Sequence, residues 1–473
     1  MKETINKILG NRIFKAGTMS LIATVLTRAI NLISVPIFSR ILTTAEYGQV
    51  DVFMTFVNIF FVVLGLDFHG AVGKGRLDFE EESDRYLCSS LIFTSIFASI
   101  FVVFINVFFK YFAVIFGLER WVVNLMFLYS YSMFVMSMRS SDYNFYYKYD
   151  KNMKMTVTVG LSNLVLSIVF IETVFKNAHL LGRILGATIP TVLCAIIVYW
   201  GYGKRGEWTF EKKYNTYALE FGVPLIPHNL SHLILSGADK VMINSMISAS
   251  ASGIYSLTYT LGMMIQVASE AMNQVYGPWL FRKLKEGKTK IVSYVQKLYL
   301  LLYCMITVAV MVISPEILKL IGPSKYWEGT SIIMWIVYAT FVGFAYTLYV
   351  NIEFFYKKTA LISMGTVMAA IINVILNKLF LVELGYKFAA ISTVISYITL
   401  LVFHMLILNV VMKKKIVSNI FVTGMVLFML AVTILLSSVT GLLLTRLSIG
   451  CICEVILALF AFAIYKRGGK IEL

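Results

Sequence analysis

Apolar residues along this chain come in runs of about twenty, separated by short polar links. Such runs fall near 16–38, 47–67, 87–109, 121–138, 155–175, 180–200, 219–245, 252–280, 292–314, 330–355, 359–381, 387–410, 417–443 and 447–465. Each suits a helical crossing of a hydrocarbon core roughly 30 Å thick. In lipid only a helix or a closed barrel satisfies its own backbone polar groups. The pattern predicts an all-α polytopic membrane protein with about 14 transmembrane helices. Composition agrees: 59% of the 473 residues are hydrophobic and 14% charged, against roughly 25% charged in soluble domains. The mean hydropathy is +0.81.

The links carry the basic residues in alternation. One set reads "KGRLDFEEESDR", "KYDKNMK", "GKRGEWTFEKK", "FRKLKEGKTK", "YKK", "KKK" and the tail "KRGGK". Of the 41 Lys and Arg, 10 fall on the opposite side (Arg40, Lys110, Arg120, Lys176, Arg183, Lys319, Lys325, Lys378, Lys387, Arg446). Two, Arg28 and Lys240, lie within spans, which leaves 29 on the first side and at the N-terminus. By the positive-inside rule that side is cytoplasmic, with both termini on it. The net charge of +16 is therefore topogenic, and a nucleic-acid partner is not expected. The first fifteen or so residues are polar and lead into a full-length run with no small-residue cleavage site, so no cleavable signal is expected. The links are too short for a soluble catalytic domain or nucleotide-binding cassette. The five cysteines (Cys88, Cys194, Cys304, Cys451, Cys453) lie in or beside apolar runs without metal spacing and read as core thiols, with no metal or cofactor expected.

A weak internal repeat links the halves. "ILTTAEYGQVDVFMTF" (41–56) follows the first run and "MISASASGIYSLTYTL" (246–261) the seventh. Laying Gly48 on Gly253 puts Leu42 on Ile247, Thr43 on Ser248 and Thr55 on Thr260. The even six-span offset predicts a parallel repeat. The expected organisation is a six-helix lobe over 1–205, a second over 206–412, and a terminal helix pair over 413–473, the lobes enclosing a central cavity.

Polar residues within the spans group by angle. Ser20, Thr24, Thr27, Arg28, Asn31 and Ser34 share an arc of about 120°. Asp51, Thr55 and Asn58 line the second span, and His228, His232, Ser236 and Asp239 the seventh, with Lys240 at the edge. Gln266, Glu270 and Asn273 share a face with Tyr255 and Tyr259; Tyr346 and Glu353 mark the tenth span; Asn373 and Asn377 the eleventh. Ionisable groups at such depth are expensive and mark pathways or paired sites. The candidate substrate contacts are Arg28, Asn31, Asn58, Lys240, Gln266, Asn273 and Tyr346. The candidate ion-coupling residues are Asp51, His228, His232, Asp239, Glu270 and Glu353. Structural alternatives stand beside these: helix-packing Ser and Thr, an Arg28–Glu270 ion pair, and a kinked seventh helix after Pro224 and Pro227. The histidine pair lacks an evident third metal ligand.

Three segments resemble one family. "LTTAEYGQVDVFMTF" is similar to the Leu-Thr-x-x-x-Tyr-Gly element between the first two spans of polysaccharide transporters in the multidrug/oligosaccharidyl-lipid/polysaccharide exporter superfamily. "LGLDFHGAVGKGR" (64–76) resembles their segment after span 2, and "GADKVMINSMISASASGIYSLTY" (237–259) their seventh-span pattern, with Lys240 where arginine is usual. The resemblance covers about the first 410 residues. It implies a Wzx-type flippase in a bacterial cytoplasmic (inner) membrane, moving an undecaprenyl-pyrophosphate-linked oligosaccharide outward by alternating access. It also implies membrane lipids as partners, with a polysaccharide polymerase and a chain-length regulator as candidates. In that setting Arg28, with Lys240, faces the pyrophosphate, since a bidentate arginine suits phosphate best. A groove between spans 13 and 14 would take the lipid tail. Two other classes compete: a cation-coupled multidrug exporter of the same superfamily, which the buried acids would suit, and a membrane glycan polymerase or ligase, which normally needs a large outward loop that this chain lacks.

Overall fold

The computed structural model describes residue 30 and residues 32–468. All regular structure among them is helical. In chain order the helices are α1 Leu32–Ile41, α2 Thr44–Gly65, α3 Val72–Asp78, α4 Ser83–Val107, α5 Phe109–Phe116, α6 Arg120–Phe145, α7 Tyr149–Val169, α8 His179–Arg205, α9 Lys212–Gly222, α10 Ile226–Met246, α11 Ala249–Gly262, α12 Gln266–Lys285, α13 Thr289–Ile321, α14 Ile333–Ala345, α15 Thr347–Phe355, α16 Thr359–Leu384, α17 Phe388–Leu406, α18 Asn419–Ser438 and α19 Leu443–Gly468. Among the described residues, 11 helical segments are long and apolar enough to cross a membrane. The fourteen apolar runs map onto the helices with three differences. Most of the first run lies outside the described residues. The seventh is split by a 3-10 turn, Val223–Leu225, because Pro224 cannot continue α9. The eighth is split at Met263–Ile265 and carries a strongly polar second half, α12. α10, with 21 residues, and α12, with 20, are as long as α18, so it is their polar residues and not their length that leave them out of the 11.

The described residues divide into two compact units: one to Leu42 and Gln49–Leu233, the other Thr43–Gly48 with Ile234 onward. The first has a core of Phe68, Val72, Leu87, Leu91, Phe134 and Met138 with Tyr86, Tyr202 and Tyr214. Its segment after α2 is held by a buried charge knot. Arg76 Nε donates to Asp142 Oδ1 at 2.8 Å and Arg76 Nη1 to Ser83 Oγ at 3.0 Å, with Asp84 2.7 Å away. Arg139 Nη1 and Tyr202 OH donate to Asp142 Oδ2 at 2.7 and 3.0 Å. Every charge there has an opposite charge beside it, the condition for a buried ion to be tolerated.

In the second unit α13 runs 33 residues and packs against α14, α18 and α19. The two repeat links meet here. Thr43 and Glu46 form a capping box, Thr43 N donating to Glu46 Oε2 (2.9 Å) and Glu46 N to Thr43 Oγ1 (3.1 Å). Ser248 caps α11 by accepting from Ala251 N at 3.1 Å. The two positions aligned by sequence thus play the same local role. A Cβ on Gly48 would stand 2.3 Å from Ala249 O, and one on Gly253 would stand 1.9 Å from Thr44 O. Only glycine permits that backbone contact. Arg446, placed in an outward link by sequence, instead lies inside α19 and is fully buried. It donates to Val312 O at 2.7 Å and to Glu316 Oε2 at 2.8 Å, fixing α19 to α13.

Candidate functional site

The second unit buries a carboxylate among neutral donors. Asp239, on α10, is 1% exposed. Its Oδ1 accepts from Asn377 Nδ2 at 2.6 Å; its Oδ2 accepts from Tyr255 OH at 2.7 Å and Thr393 Oγ1 at 2.6 Å. The donors come from α16, α11 and α17. Ser392 Oγ donates to Asn377 Oδ1 at 2.7 Å, and Asn377 Nδ2 also reaches Asn373 Oδ1 at 3.4 Å. Three helices thus present hydroxyl and amide groups to an anion on a fourth, and no basic side chain pairs with it among the described residues. Lys240 points elsewhere, its Nζ 4.9 Å from the centre of the Tyr259 ring.

A second buried pair lies in the same unit. Glu353 and His404 are both fully buried, with His404 Nδ1 3.0 Å from each carboxylate oxygen. Tyr346 stacks on His404, ring centres 5.8 Å apart. Gly365 leaves the room the imidazole needs, since a Cβ there would come within 2.8 Å of His404 Nε2. Asn273 accepts from Asn351 Nδ2 at 3.2 Å.

In the first unit the seventh-span histidines do not form a pair site with an acid of their own helix. His228 and Asn229 instead meet the turn after α2. Asn229 Nδ2 donates to Asp67 Oδ2 at 2.6 Å, and His69 Nδ1 lies 3.3 Å from Asp67 Oδ1. Asp67 is 2% exposed. Burial pushes its carboxyl above the ordinary carboxylate range, opposed by His69, by the Asn229 hydrogen bond and by His228. Burial likewise pushes the His69 imidazole down, opposed by Asp67.

Among the other residues singled out by sequence, Arg28 and Asn31 lie outside the described residues. Asn58 is exposed on α2, while Asp51, Gln266 and Glu270 are partly buried. His232 is exposed. No group of three or more His, Cys, Asp or Glu among the described residues could hold a metal ion. Sequence reasoning passed over Asp67, His69, Thr393 and His404. Asp67 closes the apolar run 47–67 and His69 follows it, both inside the motif "LGLDFHGAVGKGR"; His404 is a single polar letter inside "LLVFHML".

Two cavities complete the picture. One of about 360 Å³ in the first unit is lined by Tyr129, Met133, Ser137, Met155, Asn163 and Thr191 among others. The other, about 450 Å³, lies between α18 and α19 and is lined by Met425, Phe428, Ile456, Leu457, Leu459 and Phe460. Apart from these side chains' sulfur it is wholly hydrocarbon in character.

Residues 13–284 match the family described as "Polysaccharide biosynthesis protein", more than half of the chain. The chain belongs to that family. The membership bears out the resemblance to Wzx-type polysaccharide flippases drawn from the link motifs. A relative from Haemophilus influenzae, "Lsg locus putative protein 1", is 24% identical over 409 residues, 83% of this chain and 98% of its own. A second from the same organism, described as an uncharacterized membrane protein, is 24% identical over 376 residues, 76% of this chain and 88% of its own. The fold is similar to that of the lipid II flippase MurJ in its inward closed conformation, with a TM-score of 0.68 at 15% identity, covering 95% of this chain and 99% of that one. It is also similar to an inward-facing multidrug resistance MATE family transporter of the MOP superfamily, with a TM-score of 0.60 at 15% identity over 82% and 96%. This family member is thus a multi-pass helical membrane protein with a transporter fold.

Proposed function

We propose that this protein is a flippase that carries an undecaprenyl-pyrophosphate-linked oligosaccharide, a repeat unit of a surface polysaccharide, across the bacterial cytoplasmic membrane by alternating access. The observation that carries the reading is family membership over residues 13–284. The MurJ-like fold supports it. The chemistry of such a substrate divides into three parts. The long hydrocarbon tail needs an apolar groove, for which the α18–α19 cavity is the candidate. The pyrophosphate needs a cation, for which Arg28 is the candidate, with Lys240 second. The glycan needs amide and aromatic groups, for which Asn31, Asn58, Gln266, Asn273 and Tyr346 are the candidates. Both termini are placed in the cytoplasm by the charge pattern of the links. A polysaccharide polymerase and a chain-length regulator are the natural partners of such an activity.

For energy coupling we favour Asp239 over the other acids. A buried carboxylate with only neutral donors carries a net negative charge, which a proton or a monovalent cation would cancel. Asp51, His228, His232, Glu270 and Glu353 stand behind it as coupling candidates. The protein is read as a transporter and not as an enzyme.

Deleting the gene in its native host tests the reading. Lipid-linked oligosaccharide should accumulate on the cytoplasmic leaflet, and Arg28→Ala should fail to relieve it while Arg28→Lys relieves it in part. Full relief by both variants would remove Arg28 from the pyrophosphate site. The fold shared with a multidrug transporter keeps a cation-coupled exporter as the second reading; drug sensitivity without any glycolipid accumulation would favour it.

A further inference from the structure

The turn that joins α2 to α3 shares with the link before α9, at Glu207 and Trp208, a pair of consecutive left-handed residues. Leu66 and Asp67 both adopt left-handed backbone angles, with φ of 49° and 56°. Two consecutive non-glycine residues in that region are strained, and such strain persists where the surroundings enforce it, commonly at functional sites. The chain then turns through the 3-10 segment Phe68–Ala71. The result is to hold an aspartate almost wholly out of solvent.

Three buried polar atoms meet this turn without a hydrogen-bond partner among the described residues: Asp67 Oδ1, His69 Nδ1 and His228 Nδ1. Asp67 Oδ2 is committed to Asn229. Oδ1 and His69 Nδ1 face one another at 3.3 Å. His69 is 27% exposed where Asp67 is 2%, so the imidazole connects the buried carboxyl with the outside. The Phe61 ring lies 5.1 Å from the His69 ring and closes one side.

The surrounding charges are already taken. On α3, Arg76 is bound by Asp84 and Asp142 and Lys74 lies over the Tyr217 ring. On α9, Tyr217 donates to Asp78 (2.6 Å) and Glu220 is exposed. On α6, Arg139 is held by Asp142. On α10, His228 and Asn229 are the groups that act on Asp67. Among the described residues Asp67 therefore has the two histidines as its titratable neighbours, and no fixed positive charge neutralises it.

We infer that Asp67 and His69 form a proton-binding site, in which His69 passes a proton to and from the buried Asp67 carboxyl. One proton on the pair leaves it uncharged overall, either as carboxylic acid with neutral imidazole or as carboxylate with imidazolium. Loss of that proton leaves a buried carboxylate, a state its burial disfavours. The directions of the two shifts, Asp67 up and His69 down, agree with the one-proton form being retained. The site goes beyond the flippase reading and does not depend on the glycolipid.

Infrared difference spectroscopy of the full-length protein in phosphatidylethanolamine–phosphatidylglycerol vesicles tests it. The wild type should keep a protonated carboxyl band at a pH where exposed carboxylates have lost theirs. That band should be lost in Asp67→Asn and retained in Asp67→Glu. His69→Gln should carry the band to higher pH, since it removes the imidazole that favours the anion. A packing role alone would not move a titration. Wild-type spectra that lack such a band, or a band unchanged in Asp67→Asn, would overturn the proposal, as would a band unmoved by His69→Gln. Loss of the band at fixed pH when sodium replaces potassium would assign the site to sodium and overturn the proton. Because His69→Gln and Asp67→Glu keep the carboxyl and assign the band by its shift, misfolding of Asp67→Asn leaves the test decisive, and because no glycolipid is present, failure here and failure of the flippase reading are separate results.

Discussion

Asp142 and Asp239 are equally buried, at 2% and 1% exposure, yet their surroundings differ in kind. Asp142 is gripped by two arginines and a tyrosine. Asp239 has an amide and two hydroxyls and, among the described residues, no arginine or lysine. Charge pairing explains the first without any ligand: it ties α3, α6 and α8 together. The second has the hydrogen bonds of a satisfied carboxylate but not the charge balance of one. A buried anion left so is the expected form of a group whose counter-charge comes and goes. On the proposed reading, the difference separates architecture from a coupling site among residues that look alike in sequence.

Variants should divide along the same line. Arg76→Ala should have the largest effect, lowering stability by about 2–3 kcal/mol, because it removes the guanidinium shared by Asp142, which keeps only Arg139 and Tyr202, and by the partly buried Asp84. A thermal melt of the purified protein in detergent reads it, and an unchanged melt would break the structural half of the comparison. Arg446→Met should cost less, about 1–2 kcal/mol, since Glu316 is 36% exposed and can be hydrated when its partner is gone. Asp239→Asn should cost about 1 kcal/mol or less, as the amide keeps the shape and part of the hydrogen bonding, yet it should abolish transport. A melt as damaged as that of Arg76→Ala would make Asp239 structural too. Glu82→Gln should be the smallest. Hydrogen bonds from Lys213 and Tyr214, and the Lys213 charge, hold the Glu82 carboxyl below its ordinary value. Any stability it gives is present above the ordinary carboxylate range and fades as pH falls through the lowered value. The pair is exposed, so salt should erase even that in melts taken at high and low ionic strength.

Much of this was legible in the sequence because membrane helices announce themselves locally. Apolar runs gave the helices, Pro224 and Pro227 announced the break between α9 and α10, and the repeat alignment placed Thr43 and Ser248 where both prove to cap helices. Asp239 and Glu353 were picked out as acids in apolar runs. Asn377 and Tyr255 also stand out as polar positions of their spans, but their pairing with Asp239, and Thr393 and His404 altogether, escape sequence reasoning for a physical reason: Asn377 and Thr393 lie 138 and 154 positions from Asp239, and His404 lies 51 from Glu353. Only the packing of several helices brings them together. Asp67 and Arg446 were missed through span edges: α2 ends at Gly65 and α19 begins at Leu443, a few residues from the apolar boundaries. Arg28 and Asn31 lie outside the described residues, so their roles rest on the sequence alone.

The most direct measurement is glycolipid translocation in vesicles containing the purified full-length protein. Undecaprenyl-pyrophosphate-linked oligosaccharide is loaded in one leaflet, and its arrival in the other is read by cleavage with an external glycosidase. The account predicts movement with the wild type, faster under an imposed proton or sodium gradient, and none with Asp239→Asn at a wild-type melting temperature. No movement with a folded wild-type protein under any gradient, or undiminished movement with Asp239→Asn, would contradict it.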